Sequence, residues 1–285
     1  MLLLAIERGE KVTPVFADTG NEHPLTYEYI EYLSEHVAPI ITIKADFSKL
    51  IEKKRETVEV KWRKNGIPEE EIERTLAVLK PTGVPFLDLC LWKGRFPSGK
   101  ARFCTQELKV LPIELQVIGP LIDAGEEVVS WQGVRKQESI SRANLAEREK
   151  TIGYLYAYEI YRPLLEWSYA DAFEMHKKHG IEPNPLYKQG MGRVGCMPCI
   201  FAKKNEILEI SKRFPEQIDR IREWEFLVSE SSKRKGGTFF STDDHRGNGI
   251  DEIVEWSNTK HGGREIDPLK QEPPAVYSSI YGLCE

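Results

Sequence analysis

Val12-Thr13-Pro14-Val15-Phe16-Ala17-Asp18-Thr19-Gly20 is the stretch on which the fold turns. Val12 to Phe16 has the apolar, β-branched make-up of a short buried strand, and Asp-Thr-Gly supplies turn residues at its end. Ile30, Leu33 and Val37 then recur at i, i+3, i+7, one face of a helix. Ile40-Ile41-Thr42-Ile43 is a second run of strand length, ending in an acidic turn at Asp46. Strand, helix and strand at this spacing specify a parallel α/β unit.

Residues 50–80 are charged and largely helical in pattern, and Val128-Val129-Ser130-Trp131 gives a third strand running into Gly133-Val134-Arg135. Ser168 with Asp171 three residues on forms a capping-box start for a helix that Gly180 can end. After Cys199, two more helical stretches carry Ile207 and Ile210, then Ile218, Ile221 and Leu227. Residues 231–264, rich in glycine and charge, are expected to be loop-rich and mobile.

The chain has 285 residues, 40% hydrophobic and 30% charged, and a formal charge of −5. That is an ordinary globular composition, and its sign argues against bulk attraction to nucleic acid. Met1 to Ile6 is too short an apolar run for a signal peptide, and no stretch has the length of a membrane span. Cytoplasmic residence is the expectation. The five cysteines, Cys90, Cys104, Cys196, Cys199 and Cys284, do not form a secreted disulfide framework.

Ligands bind at the carboxyl ends of parallel strands, which singles out two turns. In Asp18-Thr19-Gly20-Asn21-Glu22, glycine permits close backbone approach, while Asp and Thr can bond ribose or base edges; the plainer reading is a strand-to-helix turn with a cap. In Gly133 to Arg142, Arg135 and Arg142 flank a polar turn with Lys136 nearby. Two guanidinium groups suit bidentate capture of sulfate or phosphate; the plainer reading is a solvated basic loop.

Cys104 lies among cations in Arg102 to Lys109, a setting that favours the thiolate. Cys196-Met197-Pro198-Cys199 is a Cys-x-x-Cys turn, open to metal or cluster binding, to a redox disulfide, or to coincidence. With Cys104 and Cys284 it makes four candidate thiolates, enough for a closed zinc site or a cubane cluster. Cys284, one residue from the end of the chain, is a candidate ligand or a mobile nucleophile. Cys90 reads as core, and His176 and His179 as polar residues late in a helix.

These pieces, in this order, resemble the phosphoadenosine phosphosulfate reductase family. Phe16 to Gly20 resembles its strand-end Asp-Thr-Gly, Arg102 to Lys109 its cysteine-and-basic segment, and Gly133 to Arg142 its Gly-x-Arg…Ser-x-x-Arg loop. Pro163-Leu164, Trp167, Asp171, Asn184 to Tyr187 and Gly195 to Cys199 follow in family order. The resemblance implies a Rossmann-like α/β fold of the adenine nucleotide alpha-hydrolase type, a parallel sheet with flanking helices over residues 1–210. Residues 211–285 are expected to form a helical and loop-rich extension.

It also implies an adenine nucleotide substrate carrying sulfate. Asp18, Thr19, Gly20 and Glu22 would lie near the adenosine, and Lys109, Arg135 and Arg142 on the anion. Cys104, Cys196 and Cys199 fall where cluster-bearing members keep ligands to a 4Fe–4S cluster, zinc being the alternative. Those members show a Cys-Cys pair where this chain has Phe103-Cys104, so a fourth ligand would have to be Cys284. A ligating Cys284 could not also be the catalytic thiol that accepts sulfur.

The family begins with a strand and a Ser-Gly-Gly-x-Asp-Ser phosphate loop; Met1 to Gly9 resembles the helix after that loop. The expectation is that this chain, as it stands, lacks the loop and has doubtful activity alone. Three functions follow. One is reduction of an adenylylated sulfate with a thioredoxin-like reductant. Another is sulfur transfer to nucleic acid, of the thiolation or DNA phosphorothioation type, by a sulfurtransferase of the same superfamily with a cysteine-bound iron–sulfur cluster. The sulfur would come from a cluster, a persulfide or another sulfur donor. The third is a non-catalytic, metal-stabilised binding module.

Overall fold

The computed structural model describes residues 1–233, 235–240, 249–260 and 277–278. A short helix α1 (Leu2–Glu7) leads to strand β1 (Val15–Asp18), helix α2 (Pro24–His36) and strand β2 (Ile41–Lys44). β1 pairs with β2 in parallel, Val15 opposite Ile41 and Asp18 opposite Lys44. Both strands sit slightly later than the apolar runs suggest. Pro14 has no N–H to give a ladder, and only its carbonyl takes part, accepting from Ile41 N at 2.9 Å.

α3 (Ser48–Thr57), α4 (Glu69–Val78) and α5 (Pro85–Lys93) follow. Next comes one unbroken helical run over 103–123, here α6, with π-turns at Gln106–Val110 and Glu114–Ile118. β3 (Val129–Trp131) leads through the short helix α7 (Ile140–Ala143) to a hairpin of β4 (Arg148–Ile152) and β5 (Ala157–Tyr161). β3 is parallel to β5 and β4 antiparallel to it. No apolar alternation marks this hairpin in the sequence, because β4 is charged and mostly exposed.

α8 (Tyr169–Lys178) has the expected capping box between Ser168 and Asp171, with Gly180 just beyond at φ +64. α9 (Pro185–Lys188) precedes β6 (Arg193–Val194), which pairs in parallel with β7 (Tyr277–Ser278). α10 (Lys204–Arg213), α11 (Pro215–Glu230) and α12 (Ile250–Ser257) complete the order. α12 is a difference from the loop-rich expectation for 231–264. Ile250 and Ile253 are buried at helical spacing, and that apolar face outweighs the glycines around it.

The mixed α/β architecture, parallel strands with flanking helices, agrees with the expected fold class. The main core joins Phe86, Leu89 and Cys90 of α5 to Ile207 and Ile210 of α10, and to Ile218, Ile221 and Trp224 of α11. Cys90 is core as expected, and burial pushes its thiol pKa up. Among the described residues, no helix is long and apolar enough to cross a membrane.

Candidate functional site

The turn after β1 is built before it can bind anything. Asp18 accepts from Gly20 N and Tyr27 Oη, each at 2.8 Å, and pairs with Lys44 Nζ at 2.6 Å. Gly20 has φ +73, and an added Cβ would lie 2.9 Å from Val84 and Pro85 side-chain atoms, so only glycine fits. Asp18 and Gly20 thus do the work of the plainer, turn-forming reading, whatever else they contact.

Thr19 and Glu22 also reach the sulfur of Cys196. Thr19 Oγ1 donates to Glu22 Oε1 at 2.7 Å and lies 3.6 Å from Cys196 Sγ. Cys196 Sγ donates to Glu22 Oε1 at 3.7 Å, and the two residues form an antiparallel bridge. Burial raises the Glu22 pKa, and the charge of Lys109 works against that rise.

The Cys196–Cys199 turn, with a cis Met197–Pro198 bond, is tethered by Asn21 and Arg220, whose roles no sequence motif marks. Asn21 O accepts from Met197 N at 2.7 Å, and Asn21 Nδ2 donates to Pro198 O at 3.0 Å. Arg220 of α11 donates to Asn21 Oδ1 and Met197 O, both at 2.9 Å. No spacing in the sequence marks Arg220, which lies among charged residues some twenty positions downstream; only the docking of α11 brings it here.

Three of the four predicted thiols meet. Cys104 and Lys109 from α6, Thr19 and Asn21 from the β1 turn, and Cys196 and Cys199 line one cavity of about 10 Å³. The soft donors fit a thiolate-bound metal in kind. The space is that of a single water or ion, so a cubane cluster would need the walls to move apart. Among the described residues no group of three or more His, Cys, Asp or Glu side chains is arranged to hold a metal ion. Cys284 lies outside the described residues.

The predicted arginines are divided. Glu138 pairs with Arg135 at 3.3 Å and, in closer contact, with Arg142; all three are buried. Arg135, together with Glu22 and Lys109, lines a second cavity of about 610 Å³. Arg142 does not line that cavity and braces the loop through Glu138. Lys109 borders both cavities, beside the thiols in the smaller one and in the lining that includes Arg135 in the larger.

Comparison with known proteins gives the family. The profile of the phosphoadenosine phosphosulfate reductase domain matches residues 1–202, and the chain belongs to that family. An uncharacterized 37.8 kDa protein of Escherichia phage 186 is 45% identical over 307 aligned positions, 99% of this chain and 92% of the phage protein. The adenosine 5'-phosphosulfate reductase of Burkholderia cepacia is 33% identical over 94 residues, 33% of this chain and 37% of that enzyme. That of Staphylococcus haemolyticus is 27% identical over 192 residues, 65% of this chain and 58% of the enzyme. The matches to named reductases thus span part of their length.

Proposed function

We propose that this chain is a sulfur-metabolism enzyme acting on an adenylylated sulfate, in the manner of a phosphoadenosine phosphosulfate reductase. The observation that carries this reading is the meeting of Cys104, Cys196 and Cys199 with Thr19 and Lys109 around one cavity. In this reading the adenosine lies by Asp18, Thr19, Gly20 and Glu22. Lys109 and Arg135 take the anion oxygens, and Arg142 acts with them or holds their loop.

Cys104, Cys196 and Cys199 would hold a 4Fe–4S cluster, or zinc, with Cys284 available as a fourth ligand. Such a cluster supplies charge beside the anion, tuned by hydrogen bonds to its sulfurs. With Cys284 free, its thiolate attacks the substrate sulfur, the S–O bond to the adenylate breaks, and the adenylate leaves with the electron pair. A thiol of a thioredoxin-like reductant then attacks the Cys284 sulfur, releasing sulfite and forming a disulfide. The cytoplasm, where thiols stay reduced, is the compartment this chemistry requires.

The test is sulfite release from adenosine 5'-phosphosulfate and from its 3'-phosphorylated form, with a working thiol reductant. It is run on the chain alone and on the chain carrying an N-terminal strand and phosphate loop. No sulfite from either protein sinks the reductase reading. Phe103 favours keeping sulfur transfer as a second reading: an aromatic ring, 5.6 Å from the Arg95 guanidinium, stands beside Cys104 in place of a vicinal thiol. Labelled sulfur appearing in nucleic acid, without sulfite, would select it. For the metal site, anaerobic purification is expected to yield bound iron and sulfide, or zinc, that Cys196→Ser loses; equal metal in both proteins would count against ligation.

A further inference from the structure

Arg220 comes to the sulfur site from α11, outside residues 1–202 that the family profile matches. Its Nη2 donates to Asn21 Oδ1 and to Met197 O, each at 2.9 Å, so one nitrogen joins the β1 turn to the backbone between the two cysteines. Trp224, one helical turn on, lies against it, with the guanidinium carbon 5.0 Å from the ring centroid. That ring is buried and stacked on Phe86 of the main core. The guanidinium is therefore fixed on one side by the core and on the other by the turn.

Its charge is less well provided for than its position. Arg135 and Arg142 have the Glu138 carboxylate. Among the described residues no carboxylate pairs with Arg220, and its Nε is buried without a hydrogen-bond partner. Burial works against the cation, and the groups that favour it are Tyr27, Glu22, Cys196 and Glu216. Glu22 is itself buried, which raises its pKa, and Glu216 is exposed, where solvent screens it. A link between an amide and a carbonyl needs only a neutral donor, which would cost less to bury than a guanidinium. A cation kept here is accounted for by negative charge on the sulfur side.

We propose that Arg220 is a positioning residue for the Cys196–Cys199 thiols: it holds their turn against the β1 turn and sets a fixed positive charge beside the negative charge that gathers there, thiolate or incoming anion. Lys109 faces the small cavity those thiols line, whereas Arg220 does not line it and acts through the backbone of the turn. α11 is thus a component of the site and not an appendage to it. That role rests on the reading that these cysteines work as thiolates, and it needs no particular metal or substrate.

The test is alkylation of the reduced 285-residue chain, as purified and after chelation, by neutral iodoacetamide and by anionic iodoacetate, read at each cysteine by peptide mass spectrometry. Both reagents are attacked by the same thiolate, so the ratio of their rates at one pH cancels the thiolate fraction and reports the local field. At Cys196 the ratio of iodoacetate to iodoacetamide is expected to fall roughly three- to tenfold in Arg220→Gln and to stay near the parent value in Arg220→Lys. Cys199, 3% exposed in the parent, should react faster with iodoacetamide in Arg220→Met, as the turn loosens. Should Arg220→Met not fold, Arg220→Gln supplies both readings. An unchanged ratio in Arg220→Gln, or an equal fall in Arg220→Lys, overturns the charge role; an unchanged Cys199 rate overturns the positioning role. Sulfite plays no part in these readings, so a parent that releases none but shows the change in ratio loses the reductase reading and keeps this one.

Discussion

Asn21 is a small residue with a large structural role. Its amide and carbonyl groups hold the Cys196–Cys199 turn and the Arg220 guanidinium together inside the protein. Asn21→Ala leaves the buried Pro198 carbonyl without that donor, an expected cost of about 1–3 kcal/mol in urea unfolding. Cys196 and Cys199 should also react faster with an alkylating reagent; an unchanged rate would show that the turn is held by other contacts. His23 offers a pH reading. Its Nδ1 accepts from Leu25 N at 3.1 Å and caps α2, which requires the neutral ring, and burial holds its pKa below the ordinary histidine value. The unfolded chain therefore takes up the proton first as pH falls below about 6.5, and stability should decline through that window and be fully present above it. His23→Asn keeps a capping side chain that does not titrate there, so unfolding curves at pH 5 to 7.5 should show a shallower pH dependence than the parent.

At the scale of elements, α8 shows a local code read correctly. Ser168 Oγ accepts from Asp171 N at 3.2 Å while the Asp171 carboxylate accepts from Ser168 N at 2.7 Å, a reciprocal cap. Ser168→Ala should cost about 1 kcal/mol, seen as a lower unfolding midpoint. The Ser168 bonds hold the Asp171 pKa down, so the cap contributes above the ordinary aspartate range and is lost as pH falls through the lowered value. α12 shows the opposite case. Gly247, Gly262 and Gly263 make its neighbourhood read as loop in the sequence, yet Glu225 of α11 accepts from Ile250 N at 2.9 Å, satisfying a helix-start donor from a distant segment. Composition windows cannot see such a partner.

At the scale of the whole molecule, one core spans residues from both sides of the expected boundary near 210. Trp224 of α11 stacks on Phe86 of α5 with ring centroids 5.7 Å apart. Trp224→Ala is expected to cost about 3–5 kcal/mol and to shift a single cooperative unfolding transition. Two separated transitions would instead show that 211–285 unfolds independently.

Local sequence was enough for β1, α2, β2 and the α8 cap, because apolar spacing and turn residues act over a few positions. It also carried the ordered motifs that place the chain in its family. Only the tertiary structure decided which of those residues share a site. It joined Cys104 on a helix to a Cys-x-x-Cys turn far along the chain, set Arg142 behind Glu138, and brought in Arg220. These are contacts between segments remote in sequence, and no short-range pattern encodes the packing that makes them.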